Sequence, residues 1–93
     1  MTRKIVINCD YGGFSVSDEC LDELRRLHNN PDLDDWELKR DDPELVRLVE
    51  TMGQNSYGRY AHLKIVEIPE DVDWILVEYD GMEHVAERHR IWR

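Results

Sequence analysis

The sequence is poor in the residues that build covalent cross-links and membrane spans. It has two cysteines, Cys9 and Cys20, which are too few for the disulfide framework of a small secreted domain. No apolar run approaches the roughly 20 residues of a membrane span, and the short apolar stretch that follows residues 1–4 is too brief for a signal peptide. We therefore expect a cytoplasmic protein that makes no membrane contact.

Positive charge is also scarce. Twelve Lys and Arg residues face 21 Asp and Glu residues, so the formal net charge is −9. Because nucleic acids and anionic lipids are bound by excess positive charge, we expect no direct binding of either. The 41% hydrophobic content is too high for a disordered acidic chain, and 93 residues suit one domain, residues 1–93, with a modest core.

The first third of the chain predicts a strand followed by a helix. Residues 3–9 form a β-branched run that predicts a strand and ends at a pair of glycines. Ser17 suits a helix N-cap, and apolar residues then recur at helical spacing over 18–28. Cys9 and Cys20 fall among the apolar positions of these elements, so we interpret them as buried, unreactive thiols.

The middle of the chain predicts an acidic loop and a second helix. Residues 31–42 have no regular period, and we expect this loop to be packed down at Trp36. Asp41 or Asp42 can cap a helix that begins with Pro43, and the stripe of apolar residues over 43–52 predicts one buried face.

The last third predicts three strands. Residues 61–68 and 73–79 are rich in β-branched residues, and Asp80-Gly81 is a two-residue hairpin signal before a return strand at 82–87. The element order is therefore β-α-α-β-β-β. This order predicts an α+β fold in which two helices cover one face of a mainly antiparallel sheet, with a C-terminal β-hairpin. We expect the basic tail, residues 88–93, to close the end of the sheet with Trp92.

The hairpin and its lead-in are strongly acidic. Residues 65–87 contain no Lys or Arg and carry a local charge of −8. Same-face side chains on a strand recur about every 6.6 Å, so such a ribbon can present a row of carboxylates to a basic groove. We assign partner binding to five of them: Asp71, Asp73, Glu78, Asp80 and Glu83. The alternative interpretation is a solvated face that keeps the protein soluble.

Two loops that contain glycine and tyrosine suggest a second kind of site. The segment from Tyr11 to Ser17 joins a strand to a helix N-terminus, where backbone N–H groups can hold a phosphate or carboxylate. A nucleotide-like ligand would contact Tyr11, Gly12, Gly13, Ser15, Ser17, Tyr57, Arg59 and Tyr60. The alternative is that the glycines permit tight turns.

Residue types for catalysis and metal binding are sparse. His28 and His62 are isolated, and His84 and His89 are not at a ligand spacing. The carboxylates lie in acidic stretches without the apolar pocket that raises one pKa for acid–base chemistry. We expect no metal, no cofactor and no enzymatic activity.

Several short blocks together resemble a family of small uncharacterised proteins of bacteriophages and prophages. The blocks are Lys4–Asn8, Tyr11-Gly12-Gly13-Phe14, Asp42–Val46, Leu63–Pro69, Glu78–Gly81 and His89–Trp92. The family supplies no activity to transfer. The resemblance implies a mobile-element protein in a bacterial cytoplasm, where small acidic proteins often inhibit host defence.

The sequence supports three functional hypotheses. The first is a non-enzymatic acidic protein that binds a basic surface of a host protein, such as a nucleic-acid-binding surface, as an anti-defence inhibitor or nucleic-acid mimic. The second is a small-ligand binding or sequestering protein that uses the two Gly/Tyr loops. The third is a structural or oligomerisation module whose acidic surface serves solubility.

Overall fold

The computed structural model describes residues 2–87, which contain four strands and two α-helices. In chain order these are β1 (Thr2–Asn8), α1 (Asp18–Leu27), α2 (Pro43–Met52), β2 (Leu63–Pro69), β3 (Trp74–Tyr79) and β4 (Met82–Glu87). Short 3₁₀ helices lie at Asp35–Glu37 and Gly53–Ser56. The predicted α+β fold with the order β-α-α-β-β-β is confirmed.

The strands form two antiparallel pairs. β1 pairs with β2 along its whole length, from Thr2 opposite Pro69 to Asn8 opposite Leu63. β3 and β4 form the C-terminal hairpin. Asp80 and Gly81 have φ of 52° and 90°, the two positive values of the type I′ turn that the sequence predicts.

Both helices begin at their predicted caps. The Ser17 hydroxyl accepts a hydrogen bond from the backbone N–H of Cys20 at 3.1 Å. The Asp42 carboxylate accepts one from the N–H of Glu44 at 3.0 Å, immediately before Pro43. These side chains satisfy N–H groups that have no partner within the helix, which fixes where each helix begins.

The core lies between the two helices and the β1–β2 pair. Val6 of β1, Cys20 and Leu24 of α1, and Leu45 of α2 are all completely buried in one apolar cluster. Burial raises the pKa of the Cys20 thiol to about 11, because the surroundings disfavour the thiolate. This supports the interpretation of Cys20 as an unreactive core residue, whereas Cys9 is half-buried.

The acidic loop is anchored differently from the prediction. Trp36 is 79% exposed, so the expectation that it holds the loop down is wrong. Leu33 and Leu38 are buried instead, on either side of the short 3₁₀ helix. Because that helix turns tightly, its flanking residues point inward while Trp36 points to solvent. The carbonyl of Arg40 then accepts a hydrogen bond from Val6 N–H at 2.8 Å, which holds the loop against β1.

Two sequence expectations concern residues outside the described range. The closure of the sheet by Trp92 and the position of His89 both fall beyond residue 87. Within residues 2–87, no helix has the length and apolar character needed to cross a bilayer.

Thiol labelling should distinguish the two cysteines. Because Cys20 is fully buried and Cys9 is half-buried, a thiol reagent such as DTNB should modify Cys9 in the native protein and Cys20 only on unfolding. The Cys9→Ser variant should then show no rapid labelling, and Cys20→Ala should keep it. Two rapidly labelled thiols in the native wild type would contradict the burial of Cys20.

The buried thiol should also affect stability at alkaline pH. The folded pKa of Cys20, about 11, is above the ordinary value of 9.0, so its stabilising contribution is complete below about pH 9. It is lost as pH rises towards 11, because the unfolded thiol ionises first. Urea unfolding at several alkaline pH values should show a smaller loss of stability for Cys20→Ala than for Cys9→Ser. Equal losses would contradict the prediction.

Candidate functional site

Asn8, the last residue of β1, joins three segments that are distant in sequence. It is completely buried. Its side-chain N–H₂ donates to the carbonyls of Asp10 and Gly81, at 2.6 and 2.7 Å. Its side-chain oxygen accepts from the N–H of His62 at 2.9 Å. One amide therefore holds the loop after β1, the turn of the hairpin and the segment before β2 together.

Glycines let these segments approach closely. A side chain at Gly12 would overlap the carbonyl of Tyr60, and one at Gly81 would overlap the carbonyl of Tyr11. Gly81 also needs its positive φ, so two constraints select glycine there. We call the resulting surface the three-turn end: the loop 10–17, the loop 54–60 and the turn Asp80-Gly81.

The two Gly/Tyr loops lie side by side and bond to each other. Ser17 N–H donates to the carbonyl of Ser56 at 2.9 Å, and Gly58 N–H donates to the carbonyl of Ser15 at 3.0 Å. The Ser17 hydroxyl donates to the carbonyl of Asn55 at 2.6 Å while it caps α1. The backbone N–H groups of Ser17 and Gly58 are therefore already engaged between the two loops.

The aromatic residues of the loops divide into a buried and an exposed set. Tyr57 is half-buried, with its ring 5.0 Å from that of His62, and packs against the core. Tyr11 and Tyr60 are exposed. The guanidinium of Arg59, also exposed, lies 5.4 Å from the centre of the Tyr60 ring. Of the proposed ligand contacts, these three side chains are the ones available to a binding partner.

The acidic side chains of the hairpin occupy its two ends. Asp71 and Asp73 precede β3, while Glu78 and Asp80 lie at its far end and turn. A six-residue strand is about 17 Å long, so the two sets lie at separate ends of the hairpin. We call Glu70, Asp71, Asp73 and Glu87 the base carboxylates, and Asp10, Glu78 and Asp80 the tip carboxylates. All seven residues are exposed.

Glu83 belongs to neither set, because it lies inside the fold. Its side chain is 5% exposed, and both carboxylate oxygens accept from the guanidinium of Arg40. One oxygen also accepts from Asn8 N–H at 2.9 Å. The assignment of Glu83 to a partner-binding surface is therefore corrected: it attaches the hairpin to the edge of β1.

Arg40 is the functional contact that sequence reasoning missed. It is mostly buried, and its guanidinium lies 3.6 Å from the centre of the Phe14 ring. Glu83 faces Glu78 across the hairpin, an unfavourable pairing of like charges unless one is neutralised. Arg40 provides that neutralisation. The sequence signal was an arginine in an acidic loop, but nothing in it pointed to a partner 43 residues away.

A second concave feature lies beside the acidic loop. This open groove of about 590 Å³ is lined partly by His28, Leu38 and Asp42. His28 Nε2 lies 2.6 Å from a carboxylate oxygen of Asp42, the cap of α2. Among the residues that the structure describes, the lining contains no serine, threonine or cysteine. The pair connects the end of α1 to the start of α2.

Neither metal chemistry nor similarity to known proteins identifies the site. Over residues 2–87, no group of three or more His, Cys, Asp or Glu side chains is arranged to hold a metal ion. Comparison with protein-family models, curated proteins and solved structures found no match to the chain.

The close packing at Gly12 should be measurable. Gly12→Ala places a methyl group against the Tyr60 backbone, so it should destabilise the protein by about 3 kcal/mol. Gly13→Ala is the matched control. Gly13 has a φ of 87° and open space around it, so alanine there should cost only about 1 kcal/mol. Equal urea-unfolding free energies for the two variants would contradict the close contact of the loops.

The Arg40–Glu83 pair should show strong coupling. Because each single replacement leaves a buried charge unpaired, Arg40→Met and Glu83→Gln should each cost about 3 kcal/mol of unfolding free energy. The double variant should cost clearly less than the sum. Strictly additive losses in a double-mutant cycle would show that the two side chains act independently.

Proposed function

We propose that this protein acts by binding a basic surface of another protein through the exposed carboxylates of its hairpin. The observation that carries the proposal is the exposure and pairing of the eight acidic side chains in residues 65–87. Arg40 neutralises Glu83. The other seven are exposed, one on β2 and six along the hairpin and its lead-in, on a stretch of sequence that has no Lys or Arg: Glu67, and Glu70, Asp71, Asp73, Glu78, Asp80 and Glu87. A folded protein that concentrates like charges in this way gives up stability, and complementary charge on a partner offsets that cost.

The two sets of carboxylates act as separate contact points. They lie roughly 20 Å apart along the hairpin, which exceeds the Debye length of about 8 Å at physiological salt. Each set therefore attracts its own cluster of Lys or Arg on the partner. Two contacts at a fixed spacing give orientation as well as attraction, so the partner's basic surface must extend over at least the length of the hairpin.

The partner in this proposal is a host protein in a bacterial cytoplasm. The resemblance to phage and prophage proteins supports that setting. A surface long and basic enough to contact both ends of the hairpin is typical of proteins that bind nucleic acids. By occupying it, the acidic protein would block nucleic-acid binding and so inhibit a host defence function.

Ligand binding at the two Gly/Tyr loops is the second candidate. The contact between the loops, through Gly58 and Ser15, favours it. Against it, the N–H groups of Ser17, Cys20 and Gly58 are already engaged, and Asp18 and Glu19 add negative charge to the first turn of α1. A thermal-shift panel of nucleotides tests it, since a ligand at 100 times its dissociation constant adds about 2.7 kcal/mol of stability.

The third candidate is an oligomerisation module. The hairpin favours it, because apolar side chains remain partly exposed on both of its faces, including Leu76 on one and Val77 on the other. Light scattering of the purified protein over a range of concentrations distinguishes it: a constant monomer mass would count against this candidate.

Charge reversal tests the principal proposal. The variant Asp71→Lys/Asp73→Lys should reduce capture of the partner from a bacterial lysate at about 0.1 M salt by tenfold or more, since both changes replace attraction with repulsion. Asp32→Lys/Asp41→Lys is the matched control. It makes the same change in net charge on exposed residues outside the hairpin, so it should retain most of the binding.

Circular dichroism should show that both variants are folded. The amount of partner captured by the wild type should fall when the salt is raised to about 0.5 M. The proposal is wrong if the folded hairpin variant captures the same partner as tightly as the wild type does. Equal losses in the hairpin and control variants would indicate a response to net charge rather than a surface on the hairpin.

A further inference from the structure

Three exposed tyrosines lie on or next to the segments of the three-turn end. The exposed fractions are 66% for Tyr11, 64% for Tyr60 and 74% for Tyr79. The Gly12 backbone touches Tyr60, and the Gly81 backbone touches Tyr11. Tyr79 is two residues from Gly81. The aromatic side chains that the sequence places in three separate segments therefore share one end of the molecule.

We propose that the three-turn end is a recognition site for arginine side chains of a protein partner. This inference rests on the proposed function and names the residue that the tip of the hairpin selects. It also combines the acidic hairpin and the Gly/Tyr loops, which are alternative sites in the predictions from sequence, because both contribute to the three-turn end.

The tip carboxylates give this aromatic surface its charge preference. Asp10 accepts from Tyr11 N–H at 2.7 Å, and Glu78 accepts from Gly81 N–H at 2.7 Å. These hydrogen bonds fix each carboxylate beside a tyrosine-bearing turn. With Asp80 also exposed in the turn, the three-turn end carries both exposed tyrosines and exposed carboxylates. Charge complementarity therefore selects a cation that can also stack on a ring.

Arginine fits this combination better than lysine does. Its guanidinium is planar, so it can lie on an aromatic ring and donate two parallel hydrogen bonds to a carboxylate, whereas an ammonium acts as a point charge. The protein already places one guanidinium near a ring at this end, since that of Arg59 lies 5.4 Å from the centre of the Tyr60 ring. Aromatic residues flanked by charge are also typical of the few side chains that dominate binding energy at interfaces.

The site is held in place before any partner binds. Asn8 bonds to the carbonyls of both Asp10 and Gly81, and the turns pack closely at Gly12 and Gly81. Because the backbone under the tyrosines is fixed, binding orders few additional groups and loses little entropy.

The test uses two peptides that differ only in having arginine or lysine at every basic position. Titration calorimetry with the full protein at about 0.1 M salt should show the arginine peptide binding about fivefold more tightly, the size expected for a cation–π contact at an exposed site. The variant Tyr11→Leu/Tyr79→Leu should lose this preference and keep its affinity for the lysine peptide.

Two variants serve as controls. Tyr11→Phe/Tyr79→Phe retains the rings, so it should retain the preference for arginine. Trp36→Leu removes an exposed aromatic side chain elsewhere, in the acidic loop, and should also leave the preference unchanged.

The outcomes separate this inference from the proposed function. Equal wild-type affinity for the two peptides, or a preference that persists in the leucine variant, overturns arginine recognition while salt-dependent binding still supports the acidic surface. Failure of both peptides to bind overturns both. Arginine recognition is also overturned if a single-stranded oligonucleotide binds more tightly than either peptide and this binding depends on the tyrosines. That result would assign the rings to base stacking.

Discussion

The ion pair between Arg40 and Glu83 joins the acidic loop, the edge of β1 and the C-terminal hairpin. A carboxylate with 5% exposure in a strand needs a partner, and the acidic loop supplies one that also stacks on Phe14. The same glutamate accepts from Asn8 N–H, while the Arg40 carbonyl accepts from Val6 N–H. Together these bonds satisfy two N–H groups, those of Val6 and Asn8, on the edge of β1 that β2 does not cover, and they attach the hairpin to that edge.

Attachment of the hairpin determines which surfaces are available. It brings Gly81 against the loop after β1, where Asn8 bonds to both, and so assembles the three-turn end. It also removes Glu83 from the solvent-facing charge and leaves the remaining carboxylates at the two ends of the hairpin. The proposed interaction surface is thus a result of long-range packing, with an aromatic and acidic tip at one end and an acidic base at the other.

Local chemistry made most of the secondary structure predictable. Ser17 and Asp42 cap helices because their side chains reach nearby N–H groups, and Asp80-Gly81 forms the type I′ turn because both residues tolerate positive φ. The wrong predictions concern side chains whose burial depends on contacts with other parts of the chain. Trp36 is exposed because its neighbours are the buried ones, and Glu83 is buried because Arg40, 43 residues away, pairs with it. No period or motif encodes such a contact.

The most direct test of this account is amide hydrogen exchange at Val6 and Asn8, measured by NMR under native conditions. Both N–H groups lie on the side of β1 away from β2, and their only acceptors in the described residues are the Arg40 carbonyl and the Glu83 carboxylate. If the loop and hairpin cover this edge, the N–H groups of Val6 and Asn8 should exchange as slowly as that of Cys9, which donates to the carbonyl of His62 beside β2. Rapid exchange at Val6 and Asn8, alongside a protected Cys9, would show that the loop and hairpin do not cover this edge and would contradict the account.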